Sequence, residues 1–189
     1  LKNINNREKI LLSVIFYRFF NKYNLFENLG INVLDKINEQ ELIERFNILR
    51  KKGETIFSDA YLIASNEKGQ EKHITIIKNL AKLDIKNIIK NIDDSKKPEQ
   101  SLKVIQTIPN VGPFLAYEIW TDLTYFNFFK QKWTDNDFVN IGPGAKWGLE
   151  IIYNNPEIRL NIVVFPAPFG PINATIEFFS TLKEQFITA

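Results

Sequence analysis

The stretch Ser101–Leu123, SLKVIQTIPNVGPFLAYEIWTDL, decides the fold. A short apolar helical period, with Ser101 as its expected N-cap, leads into Ile108-Pro109-Asn110-Val111-Gly112. A second helical period opens at Pro113, where the fixed φ of proline is already helical. This is the sequence form of a helix-hairpin-helix. Its usual hairpin is Pro-Gly-apolar-Gly, and Asn110 stands in place of the first glycine. Asparagine is the side chain that best tolerates left-handed backbone when glycine is absent. Exposed amides at the hairpin and at the start of the second helix suit a DNA phosphate, which makes Pro109, Asn110, Val111 and Gly112 the candidate DNA-binding residues. The same pattern also describes a tight turn between two core helices.

Working outward, residues 7–23 read as a helix. Leu11, Ile15 and Phe19 recur at four-residue spacing, as do Leu12, Phe16 and Phe20, so the apolar stripe is wide and the helix largely buried. Tyr17, Arg18, Asn21 and Lys22 form its polar edge, and Gly30 sits where a stop is expected. Tyr17, Arg18 and Asn21 share that edge, either lining a cleft or making hydrogen bonds at the rim of the core. A second helix is expected from Asn38 to Lys52, ended by Gly53, and a short third from Thr55 to Ser65. Two more follow at about 73–82 and 84–91, the latter Ile-rich with Lys86 and Lys90 outside. His73 reads as a surface residue at a helix start. Residues 93–98 read as a linker. After Pro156 the text changes: Pro166, Pro168, Gly170 and Pro171 exclude a continuous helix, and the segment reads as a short strand, a turn-rich loop and a final helix or strand. The expected organisation is one helical domain over residues 1–155 and an irregular tail over 156–189.

Composition excludes several chemistries. The chain has 189 residues, enough for a good core without metal or disulfide staples. It has no cysteine and a single histidine, which removes disulfides, Cys-based zinc sites, His-cluster metal sites and a Ser-His triad. No apolar run is long enough to span a membrane, and no signal peptide is visible, so the cytosol is the default compartment. The net charge of +2 hides an asymmetry. Residues 1–103 carry 19 Lys and Arg against 14 Asp and Glu, and residues 104–189 carry 5 against 8. A basic part beside an acidic one fits a protein that touches phosphates and works with carboxylates, although solvated helix faces give the same count. The chain opens on Leu1 and has no methionine, which points to a missing N-terminal piece or an alternative start codon.

A second window, Trp133–Leu149 (WTDNDFVNIGPGAKWGL), carries the candidate chemistry. Gly142-Pro143-Gly144-Ala145-Lys146 is a glycine turn ahead of an amphipathic helix, Trp147 to Tyr153. Glycines allow close approach to backbone, a helix start offers unpaired N–H groups, and Lys146 adds a positive charge. Gly142, Gly144, Ala145 and Lys146 are therefore candidate ligands for a phosphate or diphosphate. The spacing is not that of a P-loop. Asp135 and Asp137 lie just upstream and Asp122 closes the hairpin's second helix, so carboxylates gather around one hairpin as candidate acids and bases. Trp120 and Trp133 read either as core or as platforms for an extruded base.

These windows carry a resemblance to a known family. Phe16-Tyr17-Arg18-Phe19-Phe20-Asn21, Gly53 with Ile56-Phe57-Ser58-Asp59-Ala60-Tyr61, Val111-Gly112-Pro113-Phe114-Leu115-Ala116-Tyr117 with Thr121-Asp122-Leu123, and Gly142-Pro143-Gly144-Ala145-Lys146-Trp147-Gly148-Leu149 are similar to the helical domain of 5-hydroxymethyluracil DNA kinases, the group also described as alpha-glutamyl/putrescinyl thymine pyrophosphorylases. The resemblance covers about residues 8–153. It implies an all-α, DNA glycosylase-like helix-hairpin-helix fold and a phage-type role in hypermodifying thymine-derived bases in DNA. There an amine displaces pyrophosphate from a diphosphorylated 5-hydroxymethyluracil base. On that reading Asp122, Asp137 and Lys146 are catalytic, no cofactor is required, with magnesium an optional aid, and the partners are DNA and a DNA base kinase.

Departures from the pattern keep alternatives open. The family's segment ahead of the first helix is not seen, residues 156–189 do not look like the family, and a frame error or a lineage-specific tail would produce that. Phe114 stands where bifunctional glycosylases carry their lysine nucleophile, so Schiff-base chemistry is not expected. The alternatives are a non-catalytic helical module that holds DNA for a partner enzyme, and a monofunctional glycosylase using Asp135 or Asp137 to activate water.

Overall fold

The computed structural model describes residues 2–22, 24–30, 37–58 and 71–154, with side chains from Arg7 onward. These residues form eight helices and no strand: α1 (Lys2–Phe20), α2 (Leu25–Asn28), α3 (Glu39–Lys51), α4 (Lys72–Ala81), α5 (Ile85–Asp94), α6 (Pro98–Ile105), α7 (Pro113–Tyr125) and α8 (Pro143–Asn154). The all-helical expectation holds for them. The expected tail after Pro156 and most of the helix expected at Thr55–Ser65 lie outside the described residues. Thr55 to Ser58, which are described, are not helical.

The centre is α1. Every residue from Ile10 to Phe20 is buried, because apolar side chains occupy nearly all faces of this helix. It packs against α5 and α7, α6 packs against both α5 and α7, and α3 packs on α4. Phe16 and Phe20 extend the core toward α2 and α3 through ring contacts with Phe26 (5.4 Å, edge-on) and Phe46 (4.7 Å, stacked). A second aromatic group forms around Trp120 of α7, stacked on Phe129 at 5.3 Å and edge-on to Phe138 at 5.8 Å. Offset and edge-on pairs add to area burial because the ring face is negative and the edge positive.

Helix directions follow from a few contacts. Arg7 near the start of α1 pairs with both oxygens of Asp93 at the end of α5 (3.0 and 2.6 Å) and lies 4.6 Å over the Phe128 ring, just past α7. Arg18, eleven residues on, pairs with α7 at Glu118 and Asp122. So α1 runs antiparallel to α5 and α7. A three-residue link joins α5 to α6, short enough to turn the chain straight back. One end of this bundle therefore holds the start of α1, the end of α5 and the start of α6. The other holds the end of α1, the start of α5, the end of α6 and the start of α7.

At the first end Gln131 donates its side-chain amide to the carbonyls of Asp93 (2.9 Å) and Ser95 (2.7 Å), satisfying acceptors that a helix C-terminus leaves open. Burial pushes the Asp93 carboxyl upward, but Arg7 and Lys130 outweigh it and hold the group below its ordinary range. Gly53, at φ 80°, ends α3 and lets the Glu54 amide reach back to Leu49 O at 3.0 Å.

Two expectations are corrected at helix starts. Ser101 is not an N-cap. The helix begins a turn earlier at Pro98, where proline is preorganised, and the buried Ser101 hydroxyl donates to Pro98 O (2.7 Å) and accepts from Trp120 Nε1 (2.9 Å). His73 is not a surface residue. It is 2% exposed, its ring 5.6 Å from Phe46, and burial lowers its pKa so that it stays neutral.

Candidate functional site

A tight turn joins α6 to α7 at the expected residues. After α6, Ile108 N–H bonds Ile105 O (3.1 Å) and Val111 N–H bonds Ile108 O (3.0 Å), folding the chain sharply. Asn110 takes the left-handed conformation, φ 65°, that the turn requires. Ile108 and Val111 are buried and pin the turn to the core, while Pro109 and Gly112 face outward. Gly112 caps α7 with ordinary extended backbone (φ −81°, ψ 177°), and no side chain caps the helix. A Cβ added at Gly112 would meet nothing within 4 Å. The fold itself therefore does not require glycine there. Bare backbone at an uncapped helix start is what an approaching anion needs.

Arg18 and Asp122, singled out separately in the sequence, come together. Arg18 Nη2 donates to Asp122 Oδ1 at 2.6 Å, and Nε donates to Oδ2. The third donor, Nη1, reaches Glu118 Oε2 at 2.9 Å. Glu118 was missed, although it lies one helical turn before Asp122 on the same face of α7. One guanidinium thus serves two carboxylates, and the buried group carries one net negative charge when both are ionised. Burial pushes the Asp122 carboxyl up to about 6, against the pull of Arg18 and with the help of Glu118. The expected polar edge on α1 is corrected accordingly. Tyr17 and Arg18 are buried at 3% and 9% exposure, because Arg18 turns into the α1–α7 interface to meet these acids. Asn21 is half-buried, its side-chain amide 3.5 Å from Ser58 Oγ. Tyr125, one turn beyond Asp122, is exposed, and its hydroxyl is pushed up by burial and then by the charges of Asp135 and Asp122.

The second window is open to solvent. Asp137 accepts from the Thr134 amide (2.7 Å) and hydroxyl (2.8 Å), bonds that close a local turn and hold its carboxyl below the ordinary range. Helix α8 starts at Pro143, earlier than its expected start at Trp147. Its first intrahelical bond runs from Lys146 N–H to Gly142 O (2.9 Å), so the amides of Gly144 and Ala145 precede the ladder. The Lys146 side chain is 72% exposed, with Glu150 3.9 Å away. No residue of α8 is buried, and Trp147 and Tyr153 are 67% and 64% exposed. Among the described residues, no hydrogen bond or ion pair joins Asp137 or Lys146 to Asp122. Trp120 is wholly buried and Trp133 half-buried against Phe129 (5.5 Å), so both sit in the core rather than on an open face. Among the described residues no three His, Cys, Asp or Glu side chains are grouped to hold a metal ion, and no helix is long and apolar enough to cross a membrane.

A curated protein of Bacillus phage SP10, a 5-hmdU DNA kinase, is 26% identical over 171 residues, covering 79% of this chain and 26% of the relative. The chain thus spans about a quarter of that relative's length. No solved structure matches. The family model for the helical domain of 5-hmdU DNA kinases matches residues 2–165, most of the chain and all of the described helices. The chain belongs to the family of 5-hmdU DNA kinase helical domains.

Proposed function

We propose that this chain takes part in hypermodification of hydroxymethyluracil in DNA, as a helix-hairpin-helix domain that holds the DNA for base chemistry. The observation that carries this reading is the Asn110–Gly112 turn: pinned by Val111 from inside, and open at Gly112 where α7 begins without a side-chain cap. The turn suits a phosphate, which fixes the position of a duplex without reading its sequence. The name of the phage relative supports the base and the chemistry, and a base kinase is the partner this reading implies.

A second reading is favoured by the exposed start of α8. There Gly144, Ala145 and Lys146 offer donors to a diphosphate, with or without magnesium, and stabilise its charge as it leaves. On this reading an amine forms a C–N bond at the hydroxymethyl carbon, the C–O bond to diphosphate breaks, and a carboxylate takes the amine proton. Asp137 and Asp122 are the proposed acceptors. Asp122 suits the role by its raised pKa, but its bidentate grip on Arg18 suits a structural role equally. Asp137, whose carboxyl is held low by Thr134, is the weaker base of the two, in this reaction and in the glycosylase alternative alike.

One experiment tests the first reading and separates the second. Fluorescence anisotropy with hydroxymethyluracil-containing and plain duplexes should show binding with little sequence preference. Gly112→Val should weaken it roughly tenfold with the melting temperature unchanged, by loss of about one phosphate contact. Equal affinity in the folded variant would overturn the hairpin assignment. Pyrophosphate release from DNA carrying diphosphorylated hydroxymethyluracil, abolished by Lys146→Ala without loss of plain DNA binding, would establish the second reading.

A further inference from the structure

The hairpin lies at the end of the bundle where α5 begins, and that end carries a row of lysines. Lys82 caps the end of α4, and Lys86 and Lys90 follow at four-residue intervals along α5. All three are exposed, and none forms an ion pair with another described residue. Within α5, the four residues from Lys86 to Lys90 advance the helix by about 6 Å and keep nearly the same face, and Lys82 precedes that helix, separated from it by Leu83 and the Asp84 cap. The inner face of α5 is Ile88, Ile89 and Ile92, so Lys86 and Lys90 are turned outward by the burial of the isoleucines. The acid nearest in sequence, Asp84, has its carboxylate directed at the Asn87 amide (3.0 Å) as the helix cap. Lys103, exposed in the last turn of α6, approaches the same end.

This end is fixed by contacts elsewhere. Arg7, Asp93, Phe128 and Gln131 gather the start of α1 and the end of α5 at the far end. The start of α5 then lies at the same end of the bundle as the turn at Asn110 and Gly112, with α6 packed against both α5 and α7. The turn that offers amides and the first of these ammonium groups thus share one end of the molecule, from which the lysines lead away along α5.

We propose that Lys82, Lys86 and Lys90, with Lys103 beside them, form a second DNA-backbone contact next to the 108–112 turn. The turn grips one phosphate, and the lysine row follows the backbone away from it. The inference rests on the DNA-holding reading above and extends it from one turn to a surface.

The test is the salt dependence of binding to a 25-base-pair duplex, followed by anisotropy between about 50 and 200 mM NaCl. Each phosphate neutralised contributes about 0.9 to the slope of log affinity against log salt. Replacing Lys82, Lys86 and Lys90 by glutamine should flatten the slope by about 2 to 3, and the arginine triple should restore it. The control is Lys51→Gln with Lys52→Gln. Arg50 pairs with Glu71, which places those lysines by the start of α4, a helix length from Lys82. The control should leave the slope unchanged. If the unaltered chain binds and the glutamine triple keeps its slope, the lysine row is not a contact while the hairpin reading stands. An equal loss in the control pair would mean diffuse charge and also overturn the row. If the unaltered chain does not bind DNA, the DNA-holding reading falls and the row with it.

Discussion

Arg18 shows what a single residue can demand of a fold. A guanidinium in an apolar helix needs carboxylates, and α7 supplies two, one turn apart. Removing one partner of a buried pair leaves an uncompensated charge, which costs about 3–5 kcal/mol. Arg18→Ala should therefore lower stability by about that amount in urea unfolding, while Asp122→Asn, which keeps a polar side chain and discards the surplus negative charge, should cost clearly less. Comparable losses in the two variants would mean that the second carboxylate adds no strain. The partnership was not legible in the sequence. Arg18 and Asp122 were each picked out, but from different motifs, and nothing local joins positions 104 apart. Glu118 had a signal that was passed over: an acid spaced i, i+4 from another on a helix otherwise apolar toward the core.

At the scale of elements, local chemistry was the best guide. The α6–turn–α7 unit was readable because proline, asparagine and glycine each impose a particular backbone, and the structure uses the first two as expected. Asn110 sits at φ 65°. Asn110→Gly should leave stability within about 0.5 kcal/mol, whereas Asn110→Val should cost about 1–2 kcal/mol, because a left-handed conformation drives its Cβ against the following carbonyl. Thermal melts of the two variants decide this, and equal melting temperatures would show that the turn does not depend on that conformation. Ser101 was misread because two start signals competed, and proline at the first helical position prevailed over a serine three residues later. The start of α8 was placed four residues late for the same reason, with Pro143 as the overlooked signal.

Across the whole molecule, the sequence disclosed the helical class and the apolar stripe of α1 but not what each polar residue met after packing. His73 is the clear case: its burial depends on Phe46, from a helix whose approach no periodicity announces. Its titration now opposes that of Asp122. The His73 pKa is lowered, so the unfolded chain binds a proton first and stability is lost as pH falls below about 6.5. The Asp122 pKa is raised to about 6, so the folded chain binds its proton first, and this group's contribution grows as pH falls from 7 toward 4. Urea titrations between pH 7.5 and 4.5 should show a steeper acid loss for Asp122→Asn than for the unaltered chain, and a shallower one for His73→Phe. Parallel profiles for all three would contradict both burials. The position of α1 has a further consequence, for synthesis. The helices that pack on Ile10 to Phe20, α5 and α7, are both made after it. Asp122 emerges 104 residues after Arg18, a wait of roughly 5–20 s at ordinary elongation rates. During that interval the nascent chain displays a Phe-rich surface with an unanswered cation at its centre, and its safe passage depends on whatever shields it until α7 is made.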